Sequence, residues 1–144
     1  MNMRKITSII LHCAATPEGK DIKTSDIKQW HLKQGWSDIG YHYVIELDGS
    51  IHYGRFESTI GAHCKGYNKT SIGICYVGGL TSDGKKAKDT RTEAQKASLY
   101  KLVKELMTKY NLTLSDVHCH NEYAKKDCPS FNITTFRKEL KNLK

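Results

Sequence analysis

The sequence predicts a single α/β domain over residues 1–144. Apolar runs of strand length alternate with segments of helical periodicity. No repeat, linker or low-complexity stretch divides the chain. At 38% hydrophobic and 26% charged residues, 144 residues can bury a core without disulfide staples.

Ile6 to Leu11 is a β-branched apolar run that reads as a buried central strand. It delivers His12 to a sheet edge, where α/β folds often bind ligands. A helix is expected from Thr24 or Ser25, with Asp26 in its first turn at the positive end of the dipole. Ile27, Trp30 and His31 recur at helical spacing and Gly35 marks the stop. His31 on that face reads as a packed histidine.

Tyr41 to Leu47, the turn Asp48-Gly49, and Ser50 to Tyr53 carry a hairpin signal. Alternation puts Tyr41, Tyr43 and Ile45 on one face and His42 and Val44 on the other. Gly61 to Thr70 reads as a polar loop before the strand Ser71 to Val77. Gly78-Gly79 ends that strand, and Thr81 to Thr90 reads as an exposed loop. Thr92-Glu93-Ala94-Gln95 fits a capping box. The helix behind it aligns Leu99, Leu102, Val103, Leu106 and Tyr110 as a core stripe. A strand near Leu114 to His118 and a closing helix over Ile133 to Leu143 complete the series.

Lys and Arg outnumber Asp and Glu by 23 to 15, a net charge of +8. Such a charge attracts polyanions, including nucleic acid and anionic envelope polymers, without choosing among them. No zinc-finger spacing, aromatic RNA-binding motif or basic heptad region is present, so no specific nucleic-acid partner is expected. Lys85, Lys86 and Lys88 read as a solvated loop. No apolar run approaches the roughly 20 residues that span a bilayer. The basic start at Met1 to Lys5 precedes too short an apolar run, and no cleavage site, for a signal peptide. The expected location is the cytoplasm until release. Five cysteines, an odd number, point to reduced thiols or metal ligation.

The densest chemistry lies near the end, in His120-Asn121-Glu122-Tyr123-Ala124-Lys125-Lys126-Asp127-Cys128-Pro129. With His12 far upstream, His120 and Cys128 offer two imidazoles and a thiolate. That donor set suits a Zn²⁺ site whose fourth position stays open to water. In an extended strand His118 would face the same way as His120, so His118 is a rival ligand on geometry alone. Glu122 reads as a surface carboxylate, because no HExxH helix presents it.

Further segments stand in a fixed order. They are Ile10-Leu11-His12-Cys13-Ala14-Ala15-Thr16, Gln29-Trp30-His31-Leu32-Lys33-Gln34-Gly35-Trp36, Ile39-Gly40-Tyr41-His42-Tyr43 and Asp48-Gly49-Ser50. Gly61-Ala62-His63, Gly66-Tyr67-Asn68 and Ser71-Ile72-Gly73-Ile74 follow, ahead of His120 through Pro129. In this order they resemble the type 2 N-acetylmuramoyl-L-alanine amidases, a family that includes the peptidoglycan recognition proteins. The resemblance covers nearly the whole chain.

It implies a central mixed β-sheet flanked by α-helices, and one Zn²⁺ ion on His12, His120 and Cys128. The family's last ligand directly precedes proline, which selects Cys128 over Asp127. The catalytic tyrosine and lysine of phage-type members fall on Tyr41 and Lys126. His63 and Asn68 fall on groove-lining, substrate-binding positions. Lys125 departs from the pattern, standing where relatives often have proline.

The implied activity is hydrolysis of the lactyl-amide bond between N-acetylmuramic acid and L-alanine in peptidoglycan. Zn²⁺ would activate water, while Tyr41 and Lys126 stabilise the developing charge and move a proton. The expected setting is a phage or prophage endolysin, monomeric and released by a holin-type partner. Two alternatives differ in class. One is a non-catalytic peptidoglycan-binding protein of the same fold. The other is a regulatory protein contacting RNA polymerase, as phage members are described as doing. A cysteine hydrolase using Cys13 or Cys119 is the enzymatic runner-up.

Overall fold

The computed structural model describes residues 4–143, so the first residues of the basic start lie outside it. Its centre is strand β1 (Ser8–Cys13), held between two parallel neighbours, β5 (Ser71–Tyr76) and β7 (Val117–Cys119). A strand covered on both faces has no solvent side, which explains its nearly unbroken apolar run. On the far side of β5 lies β3 (Tyr43–Ile45), parallel to it. The edge strand β4 (Ile51–Tyr53) pairs antiparallel with β3. The order β4-β3-β5-β1-β7 makes one mixed sheet.

Three helices cover this sheet. Helix α2 (Glu93–Tyr110) and helix α3 (Ile133–Lys141) pack on one face. There Leu99, Val103, Phe136 and Leu140 meet Ile9, Leu11, Ile72 and Ile74. Helix α1 (Thr24–Lys33) lies on the other face, where Ile27 joins Val44, Cys75 and Val77. Alternation along β1, with Ile9, Leu11 and Cys13 in the first cluster, turns His12 towards this second face, while Cys128 packs at the border of the first. A short parallel pair, β2 (Thr16–Pro17) with β6 (Gly79–Leu80), flanks the sheet in segments that carry no strand signal in the sequence.

The expected capping box forms. Thr92 Oγ1 accepts the Gln95 N–H at 3.0 Å, and Gln95 Oε1 accepts the Thr92 N–H at 2.9 Å. Gln95 does more than cap, because its fully buried amide donates to the carbonyls of Ile45 and Val77. It bolts α2 to β3 and to the end of the β5 segment.

Two local expectations shift. The strand expected near Leu114 shrinks to Val117–Cys119, because a 3-10 turn occupies Leu114–Asp116. The alternation expected from Tyr41 begins only at Tyr43. The Gly73 N–H goes to the His42 ring (3.0 Å) instead of a backbone carbonyl, so the ladder and its two-residue period stop there. Tyr41 therefore packs with the cluster of Val44 and Cys75, opposite Tyr43 and Ile45.

Gln95→Leu should keep the helix but strand the Val77 carbonyl and the Thr92 N–H, whereas the Ile45 carbonyl still accepts from the Val77 N–H. Urea denaturation is expected to register a loss of about 3 kcal/mol. A change near zero would show that the bolt carries no net stability.

Candidate metal centre and groove

His12 lies on β1 with its ring on the α1 face and is almost fully buried. His120 follows directly after β7. The chain leaves the strand there because Glu122 folds back to accept the Cys119 N–H at 2.6 Å, closing a 3-10 turn. That turn swings His120 to within 4.6 Å of the His12 ring, centroid to centroid. His118 stays on the strand, 3.3 Å from Glu122, and takes no part in the cluster. Glu122 thus serves the local backbone. Cys128 arrives from the far end of the loop.

One donor atom from each of His12, His120 and Cys128 lies within 4.8 Å of the others. Among the described residues, no other such cluster of histidine, cysteine or carboxylate groups occurs. Asp127, Cys64, Cys75 and Cys119 stand outside it, and all five cysteines are free thiols.

A chain of hydrogen bonds fixes which His12 nitrogen faces the cluster. The Ser71 hydroxyl donates to the Tyr67 carbonyl at 2.7 Å, so towards His63 it can only accept. His63 Nε2, 3.2 Å from that hydroxyl, must then carry the proton. His63 Nδ1 is left as an acceptor, and it lies 2.8 Å from His12 Nε2. His12 Nε2 is therefore the donor. Its bare Nδ1 looks towards Cys128 Sγ, 3.9 Å away. Metal-ligating histidines are commonly oriented in this way by a partner on the second nitrogen.

Electrostatics agree with lone pairs held ready for a cation. Burial, then the neighbouring His63, His120 and Lys126, hold His12 well below the usual imidazole range. Burial pushes His63 down to about 3, and burial followed by the Lys126 charge lowers His120. All three are neutral at pH 7. The hydrogen bond with Cys13 and burial push the Cys128 thiol up, while the Cys13 N–H points at its sulfur from 3.2 Å. A divalent cation would supply the positive charge that favours the thiolate. Two neutral imidazoles and one thiol, converging from three segments, fit Zn²⁺ with one position open.

The remaining expected residues surround this cluster. The Tyr41 ring is 5.1 Å from the His12 ring, and burial raises its hydroxyl well above the usual phenol range. Tyr41 is thus a neutral donor. Exposed Lys126 lines a groove of about 390 Å³ that opens beside His120, together with Trp36, His63, Asn68 and Tyr123. Asn68 Oδ1 accepts the N–H groups of both His63 and Cys64 at 2.9 Å, which folds the 61–70 loop. Tyr67 stacks on Tyr123 at 3.9 Å, tying that loop to the one carrying His120. His31 accepts the Gly40 N–H at 2.9 Å and is not a ligand.

The pairing of His63 with His12 is not readable from either residue's neighbours, although Gly73 signals it. Glycine inside a strand marks a close approach. A Cβ at Gly73 would come within 2.5 Å of the His63 ring.

A family model described as N-acetylmuramoyl-L-alanine amidase matches residues 2–131. The chain belongs to that family. It is 43% identical to the endolysin of Escherichia phage T7 over 126 residues, 88% of this chain and 82% of that one. An N-acetylmuramoyl-L-alanine amidase, LysC from Clostridium intestinale, superposes with TM-score 0.80 at 30% identity, over 98% of this chain and 88% of that one. Peptidoglycan recognition proteins LCa and LCx, in a complex bound to tracheal cytotoxin, give TM-score 0.75 at 26% identity, over 94% and 82%.

His63→Phe should leave the fold intact but free the His12 ring. Chelator competition should then report a zinc affinity about 10- to 100-fold weaker. An unchanged affinity would mean that the ring is held without the bond.

Proposed function

We propose that this protein is a zinc-dependent N-acetylmuramoyl-L-alanine amidase acting on peptidoglycan. The convergence of His12, His120 and Cys128 at the side of a groove, in a chain of this family, carries the reading. Zn²⁺ held by those three residues would supply the Lewis acid that activates water and polarises the amide carbonyl. The lactyl-amide C–N bond breaks, the lactyl carbonyl gains the oxygen of water, and the amine of L-alanine gains a proton.

The chain's own residues divide the rest of the work. His63 acts through His12, holding the Nδ1 lone pair on target. Tyr41, a neutral phenol, donates a hydrogen bond to the oxygen on which negative charge develops. Lys126 brings a fixed positive charge to the groove beside His120, and either of these donors can protonate the departing amine. Asn68 spends its Oδ1 on the loop, so a substrate contact falls to its Nδ2. Peptidoglycan recognition proteins of this fold bound to tracheal cytotoxin support a muropeptide as occupant of the groove. Phage endolysins among the relatives support a lytic role, and release to the wall would then need a membrane-permeabilising partner.

Cys128→Ala should lose bound zinc and wall digestion together, whereas Tyr41→Phe should keep zinc and slow turnover by about 10²–10³-fold. Mass spectrometry of digested peptidoglycan, before and after zinc removal and restoration, provides the readout. Zinc-restored release of stem peptides with L-alanine at their N-termini is the expected result. Lysis by the metal-free Cys128→Ala protein would defeat the mechanism.

A further inference from the structure

The Cys13 thiol has no part in the chemistry above, yet it lies against a candidate ligand. Its main chain holds Cys128 Sγ closely, with the N–H 3.2 Å and the carbonyl oxygen 3.7 Å from that sulfur. The two thiols also hydrogen-bond to each other. A disulfide joins Cα atoms about 4.4–6.8 Å apart, and a sulfur resting on its partner's main chain is within that reach. Among the described residues, no other two cysteines share a hydrogen bond.

The pair is also reachable. A cavity of about 280 Å³ has Cys13 and Cys128 in its wall, together with Ala15, Leu80 and Ser130. Lys126 borders both this cavity and the groove beside His120. A peroxide molecule, little larger than water, fits there easily. Space beside Cys13 depends on Gly79, where a Cβ would come within 2.5 Å of the sulfur.

We propose that Cys13 and Cys128 form an oxidative modification site, in which Cys13 is the resolving thiol that guards the metal ligand whenever the metal is absent. This rests on Cys128 being a zinc ligand, as proposed above. Cys128, the more exposed of the two, attacks one oxygen of hydrogen peroxide. The O–O bond breaks, leaving a sulfenic acid on Cys128 and one water. Cys13 sulfur then displaces the hydroxyl, so the S–S bond forms and a second water leaves. Two electrons and two thiol protons have passed to the peroxide, and a dithiol returns them when it reopens the bond. Without Cys13 the sulfenic acid waits for a second peroxide, which carries it to a sulfinic acid that thiols do not reverse. A sulfur bonded to Cys13 has no thiolate charge to offer Zn²⁺, so ion and disulfide exclude each other. Loss of the ion thereby becomes a repairable event.

The test uses the full-length protein, metal-free or zinc-loaded, treated with hydrogen peroxide, alkylated, digested without reductant and mapped by mass spectrometry. A Cys13–Cys128 peptide pair is expected as the main product of the metal-free protein. Zinc should slow its formation at least about tenfold. The cross-linked protein should bind zinc at least about 100-fold more weakly, more than loss of an outer-shell partner costs, and dithiothreitol should restore binding. Cys13→Ser keeps the main-chain N–H, so its zinc affinity should match the wild type. Circular dichroism checks its fold, and Cys13→Ala serves if the hydroxyl disturbs the core. After peroxide, either variant should accumulate Cys128 sulfinic acid and fail to regain zinc binding on reduction. Sulfinic acid appearing at Cys128 equally fast in wild type and variant would overturn the proposal. So would a map dominated by links through Cys64, Cys75 or Cys119, or equal cross-linking rates with and without zinc. Cross-linking needs neither zinc nor turnover. A reduced protein that forms the pair reversibly but binds no zinc would therefore sink the metal reading and leave the redox pair standing.

Discussion

The hydrogen bond between His12 and His63 is the constraint on which the rest of the site depends. Either ring nitrogen of His12 could carry the proton, and only one choice leaves a lone pair facing Cys128. The choice is made through His63, by a serine hydroxyl already committed to the Tyr67 carbonyl. Because the relay ends on the backbone, no side-chain rotation short of breaking a bond can reverse it. A loop, a strand and a glycine act together here. Asn68 folds the loop, Ser71 accepts from the His63 ring, and Gly73 makes room for that ring.

The sheet separates two kinds of work. One face is filled by α2 and α3 through an apolar cluster that holds helices and sheet together. The other is left partly open by the shorter α1, and there polar side chains from distant segments can meet. The buried histidines His12, His42 and His63 tolerate burial because each is neutral and hydrogen-bonded. The Tyr67–Tyr123 stack spans the groove wall, joining the loop that positions His12 to the loop that presents His120. Groove shape and ligand position are thus set by the same contacts.

Much of this was legible in the sequence because the signals are local. The Thr92–Gln95 box, the stop at Gly35, the turn at Asp48-Gly49 and the apolar run before His12 all depend on near neighbours. His12, His120 and Cys128 were readable as a donor set, but composition left His118 open. What parted His120 from His118 was a turn closed by Glu122, whose carboxylate serves the backbone. Less legible were contacts that exist only after folding. The two-residue strands β2 and β6 pair because Gly78 and Gly79 adopt positive φ beside them, and no pattern two residues long predicts that. His63 and His12 stand 51 positions apart. Tyr41 misled because alternation is a property of ladders, and the ladder had not begun there.

The three candidate ligands also stand far apart along the chain, His12 and Cys128 by 116 positions. An ion on both would close a loop comprising most of the molecule, fastening the first strand of the sheet to the segment just before the last helix. Closure entropy grows only slowly with loop length, so this wide clasp costs little more to form than a narrow one. Yet it joins nearly every element into one cooperative unit. Unfolding from either end would have to release the ion, and the ion's binding energy would be added to the folded state alone. A chain emerging from the ribosome could not acquire that clasp until Cys128 had been made, so catalytic competence would wait until every described strand of the sheet had been synthesised.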